Sequence, residues 1–327
     1  MRVLVCGGAG YIGSNMTAKL TTEGHEPIVF DNLSKGHKSA IGDTKLVEGD
    51  LADNRLLVET LEKYSIEAVM HFAAFIEVGE SVQAPLKYYR NNLCCTENLL
   101  SAMETVGVEK FVFSSTAAVY GIPENVPIAE DSPTEPINPY GQTKLAVERM
   151  CHYQSRTGKL AYAALRYFNA CGAGNNATLG EDHRPESHLI PLAIRAAMGK
   201  RSDIKIYGTD YDTPDGTCIR DFIHIDDLCT AHLLALNKLQ TEREMICNLG
   251  NEKGHSVREV IETVKKVSGK DFKVTKVSRR PGDPLRLTAD ATKARNELGW
   301  KIEKPQLEEM VSTAWQWHSS HPDGYPD

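Results

Sequence analysis

The chain has 327 residues, 41% of them hydrophobic and 25% charged, and carries a formal net charge of −7 at pH 7. This length allows one large or two medium domains with a substantial core, and the composition is typical of soluble globular proteins. The acidic balance and the lack of a basic block argue against nucleic acid or an anionic membrane as the main partner. No run approaches the roughly 18 apolar residues of a membrane span, and the N-terminus lacks a signal-peptide pattern, so we expect a cytoplasmic protein.

The eight cysteines are scattered, without a CxxC pair or a metal-ligand spacing. Several of them, such as Cys6 and Cys247, lie inside apolar runs. We therefore expect reduced thiols that are mostly buried as small apolar side chains.

The first half of the chain predicts a parallel sheet, because short β-branched or apolar runs alternate with segments that have apolar residues at helical spacing. The strand-like runs are RVLVCG, PIVFDN, KLVEGD, EAVMHFAA, KFVFSS and AYAALRYF. Near-continuous apolar strands separated by helices indicate an α/β fold, a Rossmann-type doubly wound parallel sheet covered on both faces. We assign residues 1–169 to this domain.

Beyond about Phe168 the alternation loosens into a loop rich in glycine and asparagine, followed by further helical stretches. These stretches lie near 189–199, 226–240, 256–268 and 305–318. We expect a smaller C-terminal α/β substrate lobe over residues 170–327. Residues 219–249 are candidates to return to the first sheet, so the boundary at residue 169 does not separate the two domains completely.

A glycine loop follows the first strand in VLVCGGAGYIGSNMTAKL. Gly8, Gly10 and Gly13 fit G-x-G-x-x-G, and Gly7, Gly10 and Gly13 fit G-x-x-G-x-x-G. Glycines at these spacings let backbone N–H groups approach a pyrophosphate at a helix N-terminus, although an ordinary strand-to-helix turn can also carry them. Asp31 ends the next strand about 20 residues later, where an acid accepts hydrogen bonds from ribose hydroxyls and repels a 2′-phosphate. The glycine loop and Asp31 together therefore predict NAD as cofactor, in preference to NADP.

A tyrosine and a lysine four residues apart begin the helix after NPYGQTK, so Tyr140 and Lys144 share one helical face. The strand KFVFSS delivers Ser114, Ser115 and Thr116 to the edge of the sheet where ligands bind. Lowering the tyrosine pKa from about 10 to about 7 takes roughly 4 kcal/mol, which a lysine ammonium and an oxidised nicotinamide could supply. Such pairs occur by chance on many helices, but the combination with the glycine loop and Asp31 favours Tyr140 as a general base.

A family resemblance becomes specific when these segments are taken together. They are GGAGYIGS, DNL, GDL, HFAA, the asparagines at 91 and 92, SSTAAVYG, NPYGQTK, LRYFNACGA, DGTCIRDFIHIDDL, NLG, RRPGDP and HPDGYPD. In this combination the chain resembles the extended short-chain dehydrogenases/reductases and, more narrowly, the UDP-glucose 4-epimerase family. The match runs from the first strand to the last residues.

The resemblance implies a cofactor site for NAD and a catalytic group formed by Tyr140, Lys144 and Thr116, where family members often have serine in place of Thr116. Leu51 and Ala74 have core packing as an alternative role. The cofactor site implied by the resemblance comprises Gly7, Gly10, Tyr11, Ile12, Gly13, Asp31, Asn32, Asp50, Leu51, Phe72, Ala73, Ala74, Asn91, Ser114, Tyr140, Lys144 and Tyr167.

The resemblance also implies a UDP-sugar substrate. Two separated arginines suit a diphosphate, because each guanidinium can donate bidentate, charge-assisted hydrogen bonds. The implied substrate residues are Thr116, Tyr140, Asn169, His188, Leu189, Tyr207, Arg220, Phe222, Arg280, Asp283 and Leu287.

Four positions depart from some relatives. His188 replaces asparagine and could equally be a loop histidine, Ile76 replaces lysine, and Phe222 replaces tyrosine. Leu287 is intermediate between a bulky tyrosine and the smaller side chains that admit N-acetylated sugars. Acceptance of such sugars is left open.

The reaction implied by the resemblance is inversion at C4 of a UDP-sugar through a 4-keto intermediate, with UDP-glucose and UDP-galactose as first candidates. UDP-GlcNAc or UDP-GalNAc, UDP-glucuronate and UDP-pentoses remain alternatives. A 4,6-dehydratase is disfavoured because Ala117 and Ala118 follow Thr116 where those enzymes have acids. A noncatalytic NAD-binding regulator would not need Tyr140, Lys144 and Thr116 together.

No metal is expected, because FIHIDDL, which contains His224, Asp226 and Asp227, suits a strand end with Asp226 capping the next helix. A homodimer is implied by the resemblance, through helices around 84–105 and 142–157. The apolar faces of those helices could equally belong to the core of one chain.

Overall fold

The protein is described by a computed structural model that covers residues 1–280 and 282–327. In this part of the chain the strands are β1 (Arg2–Cys6), β2 (Glu26–Asp31), β3 (Leu46–Glu48), β4 (Ala68–His71), β5 (Lys110–Thr116), β6 (Ala161–Tyr167), β7 (Asn169–Cys171), β8 (Ile204–Tyr207), β9 (Ile219–Arg220), β10 (Phe222–His224), β11 (Glu244–Leu249), β12 (His255–Ser256), β13 (Val274–Val277) and β14 (Arg286–Leu287). The helices are α1 (Tyr11–Thr22), α2 (Asn54–Lys63), α3 (Val78–Gln83), α4 (Pro85–Tyr88), α5 (Cys95–Val106), α6 (Pro139–Arg156), α7 (Leu189–Ala197), α8 (Ile225–Lys238), α9 (Val257–Ser268), α10 (Thr292–Leu298) and α11 (Leu307–Ser320). A π-helical turn (Tyr89–Cys94) joins α4 to α5, and 3₁₀ turns lie at Lys38–Ile41 and Ala117–Tyr120.

A seven-stranded parallel sheet with the order β11-β6-β5-β4-β1-β2-β3 forms the centre of the molecule. The six strands expected from the sequence are all present in it, which confirms the Rossmann-type doubly wound fold. The strand order reverses between β1 and β4, and ligands of such sheets bind at this switch point, outside the carboxyl ends of the strands.

Both faces of the sheet are buried because successive residues of each strand point to opposite sides. In β1, Val3 and Val5 pack with Met16 of α1 and with α8, whereas Leu4 and Cys6 belong to the core formed with α2 and α5. This double burial explains why the strands are nearly continuous runs of apolar residues.

The seventh strand and two helices of the sheet come from late in the chain. β11 pairs with β6 in parallel, and α8 packs on α1 over the sheet. α10 packs against α8 and β11, although it lies in the part of the sequence assigned to the second lobe. The division of the chain near residue 169 stays a prediction.

The remaining segments build a smaller α/β unit. α7, α9 and α11 pack around the parallel pair of β8 and β13. β7 pairs with β10, and β9 lies between β12 and β14. The four helical stretches expected in this half of the chain correspond to α7, α8, α9 and α11.

The prediction that Asp226 caps α8 is wrong, because the N-cap is His224. The ring Nδ1 of His224 accepts the N–H of Asp226 at 3.1 Å and forms the N-cap. Asp226 lies in the first turn instead and pairs with the ammonium of Lys304 at 2.8 Å. An acid in the first turn still interacts favourably with the helix dipole, so the sequence pattern alone does not separate the two positions.

All eight cysteines carry free thiols and six of them are buried, as expected. Among the described residues, no helix is both long and apolar enough to cross a membrane.

Candidate active site

A cavity of about 1240 Å³ follows the carboxyl edge of the sheet across the switch point. Every residue assigned to the cofactor lines it, together with Thr116, Asn169, His188, Arg220, Arg280, Asp283 and Leu287. Leu189, Tyr207 and Phe222 line a smaller pocket of about 250 Å³, and several residues, among them Asn169 and Arg220, line both. The fold therefore brings the two predicted sets of residues together, and their contacts with ligands stay a prediction.

The glycine loop is shaped by close backbone contacts. Gly7 has φ +75°, and a Cβ placed on it would lie 2.5 Å from the backbone nitrogen of Ala73 at the end of β4. A Cβ on Gly13 would lie 2.0 Å from the carbonyl oxygen of Gly7. A Cβ on Gly8 would lie 2.9 Å from the carbonyl oxygen of Val5, so the backbone is compatible with both predicted glycine spacings. Gly10 precedes α1 without a side-chain cap, so the first amides of the helix are available to a pyrophosphate.

Asp31 is a buried acid at the end of β2. Its Oδ2 accepts the N–H of Ala9 at 2.9 Å and its Oδ1 accepts the N–H of Leu33 at 2.8 Å. Burial raises the pKa of Asp31, and these two hydrogen bonds act in the opposite direction. Each carboxylate oxygen keeps a further lone pair, so the side chain can tie the loop together and still accept ribose hydroxyls.

Tyr140 and Lys144 lie one turn apart at the start of α6, beside the end of β5. The ammonium of Lys144 donates to the carbonyl oxygen of Ser114 at 2.8 Å and lies 4.8 Å from the ring centroid of Phe113. The Lys144 side chain is buried, which lowers its pKa to about 7 although Glu148 acts in the opposite direction. Two positive charges were expected beside Tyr140, one on Lys144 and one on an oxidised nicotinamide. With a pKa of about 7, Lys144 readily loses its charge at neutral pH.

Burial raises the pKa of Tyr140, and a hydrogen bond with the Thr116 hydroxyl lowers it. The sequence argument expected Lys144 and an oxidised nicotinamide to lower this pKa together. From the protein's own groups the phenol is favoured, because Lys144 is not among the causes of the shift and desolvation dominates. A cationic cofactor ring next to Tyr140 is the contribution that remains to favour phenolate.

A buried polar network beneath Tyr140 and Lys144 was missed by the sequence analysis. Arg166 of β6 donates to Glu148 of α6 at 2.6 Å and to the hydroxyl of Tyr120 at 2.8 Å. The hydroxyl of Ser115 donates to the same Glu148 carboxylate, and Tyr120 donates to Asn248 at 2.7 Å. The available signal was the i, i+4 spacing of Lys144 and Glu148 on one face of the helix.

Asn92 belongs to a segment that carries the family resemblance, but the sequence analysis gave it no role. It lies in the π-helical turn, where its amide accepts the N–H of Phe75 at 2.9 Å and donates to the carbonyl of Phe75 at 2.9 Å. The predicted cofactor residue Asn91 donates to Asn92 at 2.9 Å. Asn92 therefore holds the loop after β4 against the helix, and π-helical turns are frequent at such functional positions.

On the substrate side, the guanidinium of Arg220 donates to Asp283 at 2.5 Å and to the carbonyl oxygen of Pro284 at 2.9 Å. Arg280 stacks on Tyr207, with its guanidinium carbon 3.7 Å from the ring centroid. Pro281 of the RRPGDP motif lies outside the described residues. Both arginines line the large cavity and the small pocket, which suits the diphosphate predicted for them.

His188 precedes α7 and faces two carboxylates. Its Nδ1 lies 2.7 Å from Glu181 Oε1 and 3.1 Å from Glu186 Oε1. Burial favours the neutral ring, but the two carboxylates outweigh it and raise the pKa of His188 well above its ordinary value. The hydrogen bond to a substrate that we expected from His188 would have to come from its other ring nitrogen, Nε2.

The other three departures from relatives have distinct surroundings. Ile76 is exposed on the wall of the large cavity, and Leu287 lies in β14 on the same wall. Phe222 is buried in β10, where it packs with the core of the smaller unit.

The chain belongs to the NAD dependent epimerase/dehydratase family, whose model matches residues 3–250. A UDP-glucose 4-epimerase of Halalkalibacterium halodurans is 50% identical to it over 326 residues, covering 99% of this chain and 98% of the relative. A crystal structure of UDP-glucose 4-epimerase from Brucella ovis in complex with NAD is 46% identical, with a TM-score of 0.94 over 97% of this chain and 98% of that one. A UDP-glucose 4-epimerase from Bifidobacterium longum in complex with NAD⁺ and UDP is 37% identical, with a TM-score of 0.94 over 99% of this chain and 100% of that one.

The glycine loop allows a separation of structural from binding roles. Gly13→Ala should lower the free energy of unfolding by about 1–3 kcal/mol, because its Cβ would meet the Gly7 carbonyl at 2.0 Å and backbone has to move. Gly10→Ala should lower it by less than about 1 kcal/mol, because the nearest atom to its Cβ is 3.4 Å away. Gly10→Ala should nevertheless bind NAD more weakly, since Gly10 lines the cavity directly before α1 and an added methyl group takes up space next to the helix N-terminus. Urea unfolding measures the stability of each variant, and titration with NAD measures its affinity for the cofactor. Equal stability losses in Gly13→Ala and Gly10→Ala would contradict the structural role assigned to Gly13.

Proposed function

We propose that this protein is a UDP-glucose/UDP-galactose 4-epimerase with NAD as its cofactor. The observation that carries the proposal is the meeting of Tyr140 and Lys144 with Thr116 in the same cavity as the glycine loop and Arg220. The UDP-glucose 4-epimerases that resemble the chain over nearly its whole length support the same reaction.

The residues of the larger cavity fit NAD. The α1 N-terminus offers backbone amides to a pyrophosphate, and Asp31 offers carboxylate oxygens to ribose hydroxyls while disfavouring a 2′-phosphate. NAD, when bound, supplies a hydride acceptor at C4 of the sugar and a hydride donor for the return step.

Tyr140 takes the proton from the 4-hydroxyl as C4 loses its hydride, which leaves a 4-keto sugar. The proton on Tyr140 returns to the oxygen as C4 regains the hydride on its other face. Thr116 hydrogen-bonds to Tyr140 and orients it. The Lys144 ammonium, held on the Ser114 carbonyl, would bind the cofactor. Arg220 and Arg280 hold the diphosphate, so the keto sugar can turn about that link without leaving.

Other UDP-sugars are the alternative substrates. Leu287 on the cavity wall is smaller than tyrosine, which favours some tolerance of N-acetyl groups. Ala117 and Ala118, which follow Thr116, offer no acid for the elimination step of a dehydratase.

The direct test uses purified protein without added NAD. Incubation with UDP-galactose should form UDP-glucose, and parallel reactions with UDP-GalNAc and UDP-glucuronate rank the alternatives. No conversion of any of these sugars, even with NAD supplied and shown to bind, would refute the proposal.

Tyr140→Phe should reduce turnover of UDP-galactose by about 10²- to 10⁴-fold, because it removes the group that moves the proton. Its NAD content should match that of the wild type, since the ring is retained. Tyr153→Phe, on the exposed face of the same helix, is the matched control and should keep full activity. Unchanged turnover in Tyr140→Phe would rule out this tyrosine as the base.

The pH profile tests Thr116. Its hydrogen bond lowers the pKa of Tyr140, so Thr116→Ala should raise that pKa. A base is active when deprotonated, and the acidic limb of kcat/KM should therefore move to higher pH in Thr116→Ala. Thr116→Ser keeps the hydroxyl and should restore the wild-type profile. An acidic limb that stays in place in Thr116→Ala would show that the hydroxyl does not act on Tyr140.

We also propose a cytoplasmic homodimer. Two exposed apolar side chains lie on α6 and on α4, which packs beside it: Tyr153 of α6 is 71% exposed and Leu86 of α4 is 70% exposed. Covering them in a dimer would remove apolar surface from water.

Leu86→Lys and Tyr153→Lys should each shift the protein from dimer toward monomer in sedimentation velocity, because a buried ammonium without a partner is costly. Leu285→Lys, an exposed leucine outside these helices, is the control and should leave the mass unchanged. A wild-type protein that sediments as a monomer would contradict the dimer.

A further inference from the structure

The loop before α7 gathers four side chains that can bind a cation. Glu181, His183, Glu186 and His188 form the pattern E-x-H-x-x-E-x-H. One potential ligand atom from each lies within 4.8 Å of all the others. We call these four residues the loop cluster.

The loop cluster is compact and its acids are shielded from solvent. The side chains of Glu181 and Glu186 are 6% and 3% exposed. His183 Nδ1 lies 3.1 Å from Glu181 Oε1 and 3.9 Å from Glu186 Oε2, while His188 Nδ1 lies within 3.1 Å of both carboxylates. Two buried carboxylates are expensive to desolvate unless positive charge accompanies them, and either a protonated histidine or a bound cation supplies such charge.

The spacing of these atoms suits a small tetrahedral ion. The ligand atoms of a tetrahedral Zn²⁺ lie about 2.0–2.2 Å from the ion and roughly 3.4 Å from one another. In the loop cluster, one ligand atom from each residue lies within 4.8 Å of the others, and the pairs of nitrogen and oxygen run from 2.7 to 3.9 Å, with Glu186 facing His188 through Oε1 and His183 through Oε2. Two imidazole nitrogens with two carboxylate oxygens form a donor set that favours zinc over magnesium or calcium. We propose that the loop cluster is a structural Zn²⁺ site, with one ligand atom from each of its four residues.

Contacts on the other side of the loop hold it in place. The residues that alternate with the first two ligands face away from the cluster: Gly180 N–H donates to the Tyr325 hydroxyl at 3.2 Å, and Asp182 Oδ2 accepts the N–H of Tyr325 at 3.0 Å. The Asp182 carbonyl oxygen lies 3.0 Å from a ring nitrogen of His37. The loop is thus anchored by groups that are not ligands, which preorganises the four that are.

Zinc at this position would fix the wall between the cofactor cavity and the smaller pocket. Glu181 and His188 line both cavities, and Leu189, the next residue after His188, starts α7. With Nδ1 of His188 on the metal, its Nε2 is the nitrogen left to face a ligand. The ion therefore acts through the position of the loop and takes no part in hydride or proton transfer.

The test is metal content, measured on protein purified without a polyhistidine tag. After incubation with zinc sulfate and desalting, mass spectrometry of the elements should give about one zinc per chain. Co²⁺ in place of zinc should give the strong visible absorption of a tetrahedral nitrogen and oxygen site. Zinc below about a tenth of an ion per chain would overturn the proposal, whatever the epimerase assay shows.

Variants locate the ion. His183→Gln and Glu186→Gln should each lower zinc affinity, in competition with a chromophoric chelator, by at least the roughly 10- to 100-fold that loss of an outer-shell partner costs. His152→Gln is the matched control, because His152 faces only one carboxylate, Glu244, at 2.9 Å, and this variant should keep wild-type affinity. Circular dichroism shows whether each variant folds. If either His183→Gln or Glu186→Gln fails to fold, the zinc affinity of the other variant tests the site. Wild-type zinc affinity in a folded His183→Gln or Glu186→Gln would overturn the site.

Discussion

A buried ion pair between Glu148 and Arg166 holds α6, which carries Tyr140 and Lys144, against the sheet. The two side chains are 3% and 5% exposed, and they join α6 to β6 while Ser115 joins the same carboxylate to β5. Tyr140 and Lys144 lie on the two turns before Glu148, so their distance from the sheet depends on this pair. Removing one partner of a buried pair typically costs 3–5 kcal/mol, although apolar replacement of both can be neutral. The pair therefore contributes orientation more than stability.

Burial acts in the same direction on three ionisable groups of the cavity. It raises the pKa of Asp31 and of Tyr140 and lowers that of Lys144 to about 7, so burial shifts each group toward its neutral form. In such a low-dielectric setting a single added charge has a large effect on its neighbours. The protein's own groups thus favour the phenol form of Tyr140. If Tyr140 is the base that we propose, a positive charge from the oxidised cofactor would have to contribute to its deprotonation.

Local patterns in the sequence were sufficient for the first six strands, the glycine loop and the four later helices, because each depends on periodicity or on turn chemistry within a few residues. Long-range pairing was not accessible in this way. The position of β11 beside β6, the packing of α10 and the network of Arg166 with Tyr120 and Asn248 join residues far apart in the chain. The N-cap of α8 is His224, two residues before Asp226, and the sequence pattern does not locate the start of a helix to within two residues. The loop cluster contains no cysteine and lies outside FIHIDDL, so the cysteine spacings and that segment did not indicate it.

The place of β11 also has a consequence for synthesis of the chain. β6 is completed at Tyr167, but its outer neighbour is Glu244–Leu249, which is synthesised only after β7 to β10, α7 and α8. Until then one edge of the nascent parallel sheet presents unpaired N–H and C=O groups on an apolar strand, the kind of edge that pairs with other chains. Parallel pairing across such a long separation is also slow. Translation pauses between these two strands would prolong the period in which the chain can aggregate, whereas pauses after Leu249 would let the sheet close first.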